Sequence, residues 1–295
     1  MIIRQVFAAI ALSGFAALSS AAPVTSGAYA ITSMYVNGSA SYGSDSTVTG
    51  VAQTQDGYDG NGRHISATGS ASLAGAKIGA SAQYTSGSAL PLGSALWGGY
   101  GQAGMIDTFY HSNAQGSPFV WSSGDSAHFT LNVSGAATVI DSLGRYDGST
   151  PDLKAGGFVF FTAYDLQGNT TFSYTIGLTA FDTTYYQPGV GYVPVNDMLE
   201  SGSETFDVLF NPSGDFGWQV SLYTYATSIG AANQAEATAD FSHTVNVAYL
   251  APTGSTFSSE SGVFAAALAV PEPGSLTLLG LGLAVIAVAR KRRKG

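Results

Sequence analysis

The chain has 295 residues, with ten Lys and Arg against nineteen Asp and Glu, and a net charge of −9. Six of the ten cations lie in the first 22 or the last 25 residues, so residues 23–270 hold four cations and eighteen carboxylates, a net charge of about −14. Such a charge repels phosphate backbones and excludes nucleic-acid binding. The absence of cysteine excludes disulfides, a thiol nucleophile and a cysteine-ligated zinc site. The 38 glycines and the 10% share of charged residues are typical of extracellular β structure with many turns.

The first 22 residues have the three-part layout of a secretory signal peptide. Arg4 supplies the single cation, residues 6–18 are mostly apolar, and residues 19–22 are small Ser and Ala. We expect cleavage after Ala21 or Ala22, and therefore export of the chain that follows.

The first half of the exported body gives weak strand patterns, at residues 28–36, 46–53, 63–73 and 76–84. Polar and apolar residues alternate there with a period of two, but the inward positions are often Ala or Ser. Residues 38–46 and 86–104 are rich in Gly and Ser, and we predict that they are loops.

The second half gives clearer patterns. Residues 171–180 place Phe172, Tyr174, Ile176 and Leu178 on one face, which indicates a half-buried strand. Further strands are predicted at 127–133, 157–164, 204–210, 216–225 and 237–250. Turn clusters rich in Gly, Pro, Asn and Asp separate the strands, at 143–150, 165–169, 187–191 and 211–215.

Many short strands separated by such turns predict an all-β fold, an antiparallel β-sandwich or jelly-roll-like body. We assign this body to residues 23–262, either as one sandwich or as two subdomains that divide near residues 105–120. Residues 263–270 are mostly small and apolar, and we predict a spacer there rather than a final strand.

One loop in the first half is a candidate calcium site. Asp56, Asp59 and Asn61 carry oxygen ligands within a Gly-containing segment, as hard cations require. The spacing differs from that of an EF-hand, because Tyr58 and Gly60 stand where further ligands would be needed. A second acidic segment, residues 141–152, has the same character. An ordinary polar turn is the alternative at both places, and calcium is the one cofactor that the sequence suggests.

Aromatic residues that lie in loops are candidates for stacking on sugar rings. The pattern indicates Trp97 and Tyr100, in a Gly-rich segment, and Tyr185 and Tyr186, just before Pro188. We predict that these four rings are exposed and available to a polysaccharide, with packing inside the protein as the alternative.

Catalytic residues are poorly supported. The histidines are scattered, with no spacing typical of a metal site, at His64, His111, His128 and His243. No nucleophile-elbow motif is present. The acid pairs Glu200/Glu204 and Asp56/Asp59 could in principle serve glycoside hydrolysis. Among eighteen carboxylates, however, close pairs are expected without any function.

The last 25 residues combine three features in a fixed order. Pro271, Glu272 and Pro273 precede an uncharged apolar run at 276–289, and five basic residues follow, Arg290, Lys291, Arg292, Arg293 and Lys294. As a helix, fourteen residues span about 21 Å, which is short for a hydrocarbon core about 30 Å thick. The basic cluster should stay in the cytoplasm as a membrane stop, which puts the body on the other side of the membrane.

This arrangement closely resembles the PEP-CTERM sorting signal of Gram-negative bacteria, with Pro271, Glu272 and Pro273 in the signature positions. The resemblance implies recognition by an exosortase, a membrane-embedded protease or transpeptidase, and an association with exopolysaccharide production. A plain stop-transfer helix is the alternative interpretation of the same residues.

The sequence therefore predicts an exported, non-enzymatic, all-β protein of the cell surface or extracellular matrix. The tail would anchor it transiently in the membrane until an exosortase processes it, and the body would take a structural or carbohydrate-binding role in an exopolysaccharide or biofilm layer. The alternatives are a secreted hydrolase that acts on matrix polysaccharide and a calcium-dependent adhesin.

Overall fold

The computed structural model describes residues 26–36, 39–47, 50–58, 64–85, 96–140, 153–178, 184–187, 191–194, 197–199, 201–229 and 236–264. The predicted signal peptide and the sorting tail lie outside these ranges. The described residues, the last of which is Phe264, belong to one compact unit.

Within these ranges the chain forms sixteen strands and no helix, so no helix of the described part is able to cross a membrane. The strands are β1 Gly27–Val36, β2 Ser39–Thr47, β3 Gly50–Tyr58, β4 His64–Ser72, β5 Lys77–Thr85, β6 Leu96–Asn113, β7 Ala127–Ile140, β8 Leu153–Tyr164, β9 Thr170–Gly177, β10 Thr184–Gln187, β11 Gly191–Pro194, β12 Asp197–Met198, β13 Ser201–Phe210, β14 Phe216–Ile229, β15 Glu236–Leu250 and β16 Ser255–Ser259.

The strands form two sheets that share one hydrophobic core. The first sheet has the order β12-β9-β8-β14-β6-β1-β2, with β16 also paired to β6, and the second has the order β13-β7-β15-β5-β4-β3. Neighbouring strands are antiparallel except for the short β9–β12 pair, and β10 and β11 form a separate hairpin. The prediction of an all-β protein with antiparallel sheets is thus confirmed.

The central strands bury the faces that their alternation predicts. In β14, Phe216, Trp218, Val220 and Leu222 are all buried, because this strand lies between β8 and β6 in the first sheet and faces the second. In β15, the register shifts between Phe241 and Val245, and this β-bulge bends the strand. Both residues nevertheless stay in the core.

One end of the core consists of packed aromatic rings. Phe109 lies at its centre, with ring-centroid distances of 4.7 Å to Tyr249, 4.9 Å to Phe257 and 5.4 Å to Trp218. The rings meet at tilted angles, between the offset-stacked and edge-to-face arrangements that their quadrupoles favour. We call these four residues, together with Phe129, Phe216 and Phe264, the aromatic cluster.

Elsewhere the two sheets touch through their backbones. A Cβ built on Gly101 of β6 would lie 2.2 Å from the carbonyl oxygen of Thr68 in β4, and one built on Gly69 would lie 2.4 Å from the carbonyl oxygen of Gln102. Only glycine fits at such separations. The close approach explains why the inward residues beside these glycines are small, since a larger side chain there would force the sheets apart.

Two sequence predictions for the first half are wrong. The loop predicted at 38–46 is mostly β2, and the loop predicted at 86–104 is a strand from Leu96 onward, where β6 begins. The described residues of the strand predicted at 46–53 lie in β2 and β3. The two loop predictions fail because Gly and Ser, which normally indicate a loop, here occur in strands. In β2 they form an edge strand, and in β6 the glycines allow close contact with the backbone of β4. β6 also runs through the region considered for a subdomain boundary, as far as Asn113.

Replacement of Gly101 by Ala should lower the free energy of unfolding by about 1–3 kcal/mol or more, because the new methyl group meets the backbone of Thr68. Gly124→Ala is the matched control, since a Cβ there has no neighbour within 4 Å. The measurement is urea denaturation of each variant beside the wild type. Equal midpoints for the two variants would show that the sheets do not meet at Gly101.

Candidate functional site

The last described segment, residues 255–264, closes the body beside β6. In β16, Ser255 pairs with Asn113 and Ser259 with Phe109. The first residue of β1, Gly27, pairs with Ile106 of the same strand. The end of β16 and the start of β1 therefore meet along β6, on either side of Asp107.

Asp107 joins these two segments through its carboxylate, which is 0% exposed. Oδ1 accepts hydrogen bonds from the Ser26 hydroxyl at 2.8 Å, from the Thr108 backbone N–H at 2.8 Å and from the Ser261 backbone N–H at 3.1 Å. Oδ2 accepts one from the Ser261 hydroxyl at 2.5 Å. Among the described residues, no Lys or Arg pairs with this carboxylate, so its buried charge is compensated by these hydrogen-bond donors. We call Ser26, Asp107, Thr108 and Ser261 the Asp107 clasp.

Beyond Ser261 the chain turns back onto the core. Gly262 has a φ of 69°, in the left-handed region that favours glycine, and its N–H donates to the carbonyl oxygen of Ser259. The backbone N–H of Phe264 donates to the Ser259 hydroxyl at 3.1 Å, and the Phe264 ring lies 5.3 Å from that of Trp218. Val263 and Phe264, the first two residues of the predicted spacer at 263–270, therefore pack on the core, and residues 265–270 lie outside the described ranges.

His111 lies beside this segment, in the interior. Its Nε2 is 2.7 Å from the Tyr249 hydroxyl, and its backbone N–H donates to Asp215 Oδ1 at 2.7 Å. Burial lowers the pKa of His111 to about 4, although Asp215 acts in the opposite direction, and burial raises the pKa of Tyr249. The side chain is neutral near pH 7 and inaccessible to solvent, so it packs against Phe216 and Trp121 rather than exchanging protons with a substrate.

The other described histidines pair with carboxylates across neighbouring strands of the second sheet. His64 contacts Asp56 between β4 and β3, and His128 Nε2 lies 2.8 Å from Asp207 Oδ1 between β7 and β13. The hydrogen bond from His128 lowers the pKa of Asp207. The side chain of His243 lies outside the described residues. These pairs crosslink strands and do not converge on a common centre.

Of the three candidate calcium ligands, only Asp56 lies within the described residues. Asp56 lies in β3 rather than in a loop, and its carboxylate is engaged by His64. Asp59, Asn61 and the second acidic segment at 141–152 lie outside the described residues. The described part of the chain contains no group of three His, Asp or Glu side chains that could hold a metal ion.

The aromatic candidates have a different setting from the one expected. Tyr100 lies in β6 and is only 2% exposed, with its ring stacked 6.1 Å from that of Tyr223 on the face of the first sheet opposite the core. The predictions of a loop and of an exposed ring are wrong for Tyr100, because its glycine neighbours belong to a strand. Trp97, Tyr185 and Tyr186 lie in β6 and β10, and their side chains are outside the described part.

A buried polar network on the same outer face escaped the sequence analysis. The Tyr29 hydroxyl lies 2.6 Å from the Ser221 hydroxyl and accepts a hydrogen bond from Gln219 Nε2 at 3.0 Å. The Tyr164 hydroxyl donates to Gln219 Oε1 at 2.9 Å. These residues occupy the outward positions of their strands, which the alternation rule assigns to solvent. Nothing in the pattern indicates that they are buried together.

Comparison with known families identifies a motif in the residues that follow the body. Residues 269–293 match the family model of the PEP-CTERM protein-sorting motif, a range that includes Pro271, Glu272 and Pro273. An all-β body with such a motif defines an exported protein that is sorted to the cell envelope or surface. The chain therefore carries a PEP-CTERM sorting motif at residues 269–293, and the motif implies processing by an exosortase. Comparison with curated proteins gave no match.

Replacement of Asp107 by Asn should lower the free energy of unfolding by about 1–3 kcal/mol, because a neutral amide replaces the carboxylate that accepts the charge-assisted hydrogen bonds of the clasp. Urea denaturation measures the change. Glu204→Gln is the control, because Glu204 is an exposed carboxylate on β13. A loss no larger than that of the control would contradict the role of the clasp.

His111 should make the body less stable as the pH falls from about 6.5 to about 4. In this window the unfolded state binds the proton and the folded state does not, so the free energy of unfolding falls, by up to about 3 kcal/mol. His111→Gln should remove this part of the pH dependence. The test is the difference between the two unfolding curves at pH 7 and pH 4, and parallel behaviour would contradict the assignment.

Proposed function

We propose that the chain is a non-catalytic protein of the exopolysaccharide or biofilm matrix, delivered by exosortase processing of its tail. The observation that carries the proposal is the boundary between body and motif. The last described residue that packs on the core is Phe264, and the matched motif begins at residue 269. Removal of the motif would therefore leave the Asp107 clasp and the aromatic cluster in the processed protein.

The order of the three features in the tail gives it two functions, recognition by the protease and transient anchoring in the membrane. Pro271, Glu272 and Pro273 form the recognition element for the protease. The apolar run at 276–289 is a transient anchor, and the basic residues 290–294 hold its end in the cytoplasm of a Gram-negative cell. A helix shorter than the bilayer core suits an anchor that is needed only until processing.

The body is suited to a binding or structural role in the matrix. Its net charge of about −14 favours a neutral polysaccharide, or an anionic one bridged by divalent cations. Trp97, Tyr185 and Tyr186 are the candidates for stacking on sugar rings. Tyr100 cannot stack on a sugar, because its ring is buried. The placed histidines support a non-catalytic body, since each is engaged in a contact that joins strands.

The test is to fractionate a producing culture into membranes, polysaccharide matrix and medium, and to determine the C-terminus of the chain in each fraction by mass spectrometry. We expect matrix-bound protein that lacks residues 276–295. A triple variant, Pro271→Ala, Glu272→Ala and Pro273→Ala, should remain full-length in the membrane fraction.

Two results would contradict the proposal separately. If the surface-exposed chain retains residues 276–295, the tail is a simple anchor and exosortase processing is wrong. If the processed chain appears only in the medium, processing stands and the association with the matrix is wrong.

A further inference from the structure

We propose that the surface around the point where the chain leaves the body lies against the sorting protease while the tail is processed. We call it the exit surface and define it by Tyr110, Thr256, Ser258 and Glu260. The inference rests on the proposed function, since it concerns the partner that processes the tail. It adds which face of the body that partner meets.

The first argument is the short length of chain between body and motif. Four residues, 265–268, separate Phe264 from the first matched residue of the motif. Fully extended, the five steps from Phe264 to residue 269 span at most about 18 Å. By comparison, the eighteen residues of β6 extend over about 60 Å. A protease that holds the motif is therefore close to the exit and cannot meet the far end of the sheets.

The second argument is that Phe264 is a fixed point. The Ser259 hydroxyl accepts the Phe264 N–H, Ser261 is held by both oxygens of Asp107, and the Phe264 ring packs on Trp218. If this segment were detached back to Leu250, the chain between the attached part of the body and the motif would comprise eighteen residues and could span about 65 Å. The Asp107 clasp thus keeps this connecting chain short.

The third argument concerns the chemistry of the exit surface. Thr256 and Ser258 are exposed on β16, and Tyr110, which pairs with Ser258, is 41% exposed. Partial burial, and after it the carboxylates of Glu260 and Asp215, raise the pKa of Tyr110. A surface that presents hydroxyls and the Glu260 carboxylate, on a body with a net charge of about −14, is repelled by anionic lipid headgroups. Its chemistry therefore fits hydrogen-bonding groups of a protein rather than the surface of the bilayer.

The experiment is in vivo photo-crosslinking in cells that contain the protease. A photoreactive phenylalanine derivative replaces Ser258 in one variant and Thr138 in another. Thr138 is the matched control, because it is an exposed hydroxyl residue on β7 of the second sheet. We expect Ser258 to crosslink to the protease at least about tenfold more than Thr138. A flexible insert of twenty residues after Phe264 should reduce the Ser258 crosslink several-fold while processing continues.

Crosslinking is normalised to the amount of processed protein, so that a poorly folded variant is not counted. The proposal is overturned if processed chains crosslink equally from both positions, if Ser258 reaches only lipid, or if the insert leaves its crosslink unchanged. A wild-type chain that keeps its tail would instead show that the proposed function is wrong, which separates the two failures.

Discussion

The closure of the body depends on one buried charge. Asp107 has no access to solvent, and its carboxylate is compensated by hydrogen bonds from two segments that are more than 230 residues apart in the chain. Loss of either segment would leave a buried anion short of donors, which is far more costly than the loss of a neutral hydrogen bond. The carboxylate therefore makes the attachment of Ser26 and that of Ser261 interdependent. The aromatic cluster depends in turn on this attachment, because β16 and Phe264 supply two of its rings.

The core combines two kinds of packing that place different demands on the sequence. Near Phe109, large rings fill the space between the sheets and tolerate exchange among apolar residues of similar volume. Near Gly69 and Gly101, carbonyl oxygens of one sheet occupy the space where a side chain of the other would lie. No substitution conserves volume at such a position. The glycine-rich half is therefore the more tightly specified, although its sequence pattern is weaker.

This contrast explains which features could be predicted. The alternation in β9 and β14 reflects burial of large apolar side chains on one face, so the sequence was sufficient for these strands. β2 and the first part of β6 contain mostly small and polar residues, and their strand structure comes from pairing with β1 and contact with β4. The sorting motif is local in sequence and was recognised from its residues alone. The Asp107 clasp brings together positions 26, 107 and 261, and no local pattern can reveal such a contact.

The relation between body and tail follows from the position of the last core residue. In many proteins a segment close to a processing site is a flexible linker, and its removal has no consequence for the fold. Here Phe257 and Phe264 pack against the core and Ser261 donates to Asp107, only a few residues before the motif begins. Cleavage within the motif leaves all three in place, whereas cleavage before Ser255 would remove them and uncover Phe109 and Trp218. The stability of the processed protein therefore requires that the protease act on the C-terminal side of Phe264, and the separation of the motif from the clasp satisfies this requirement.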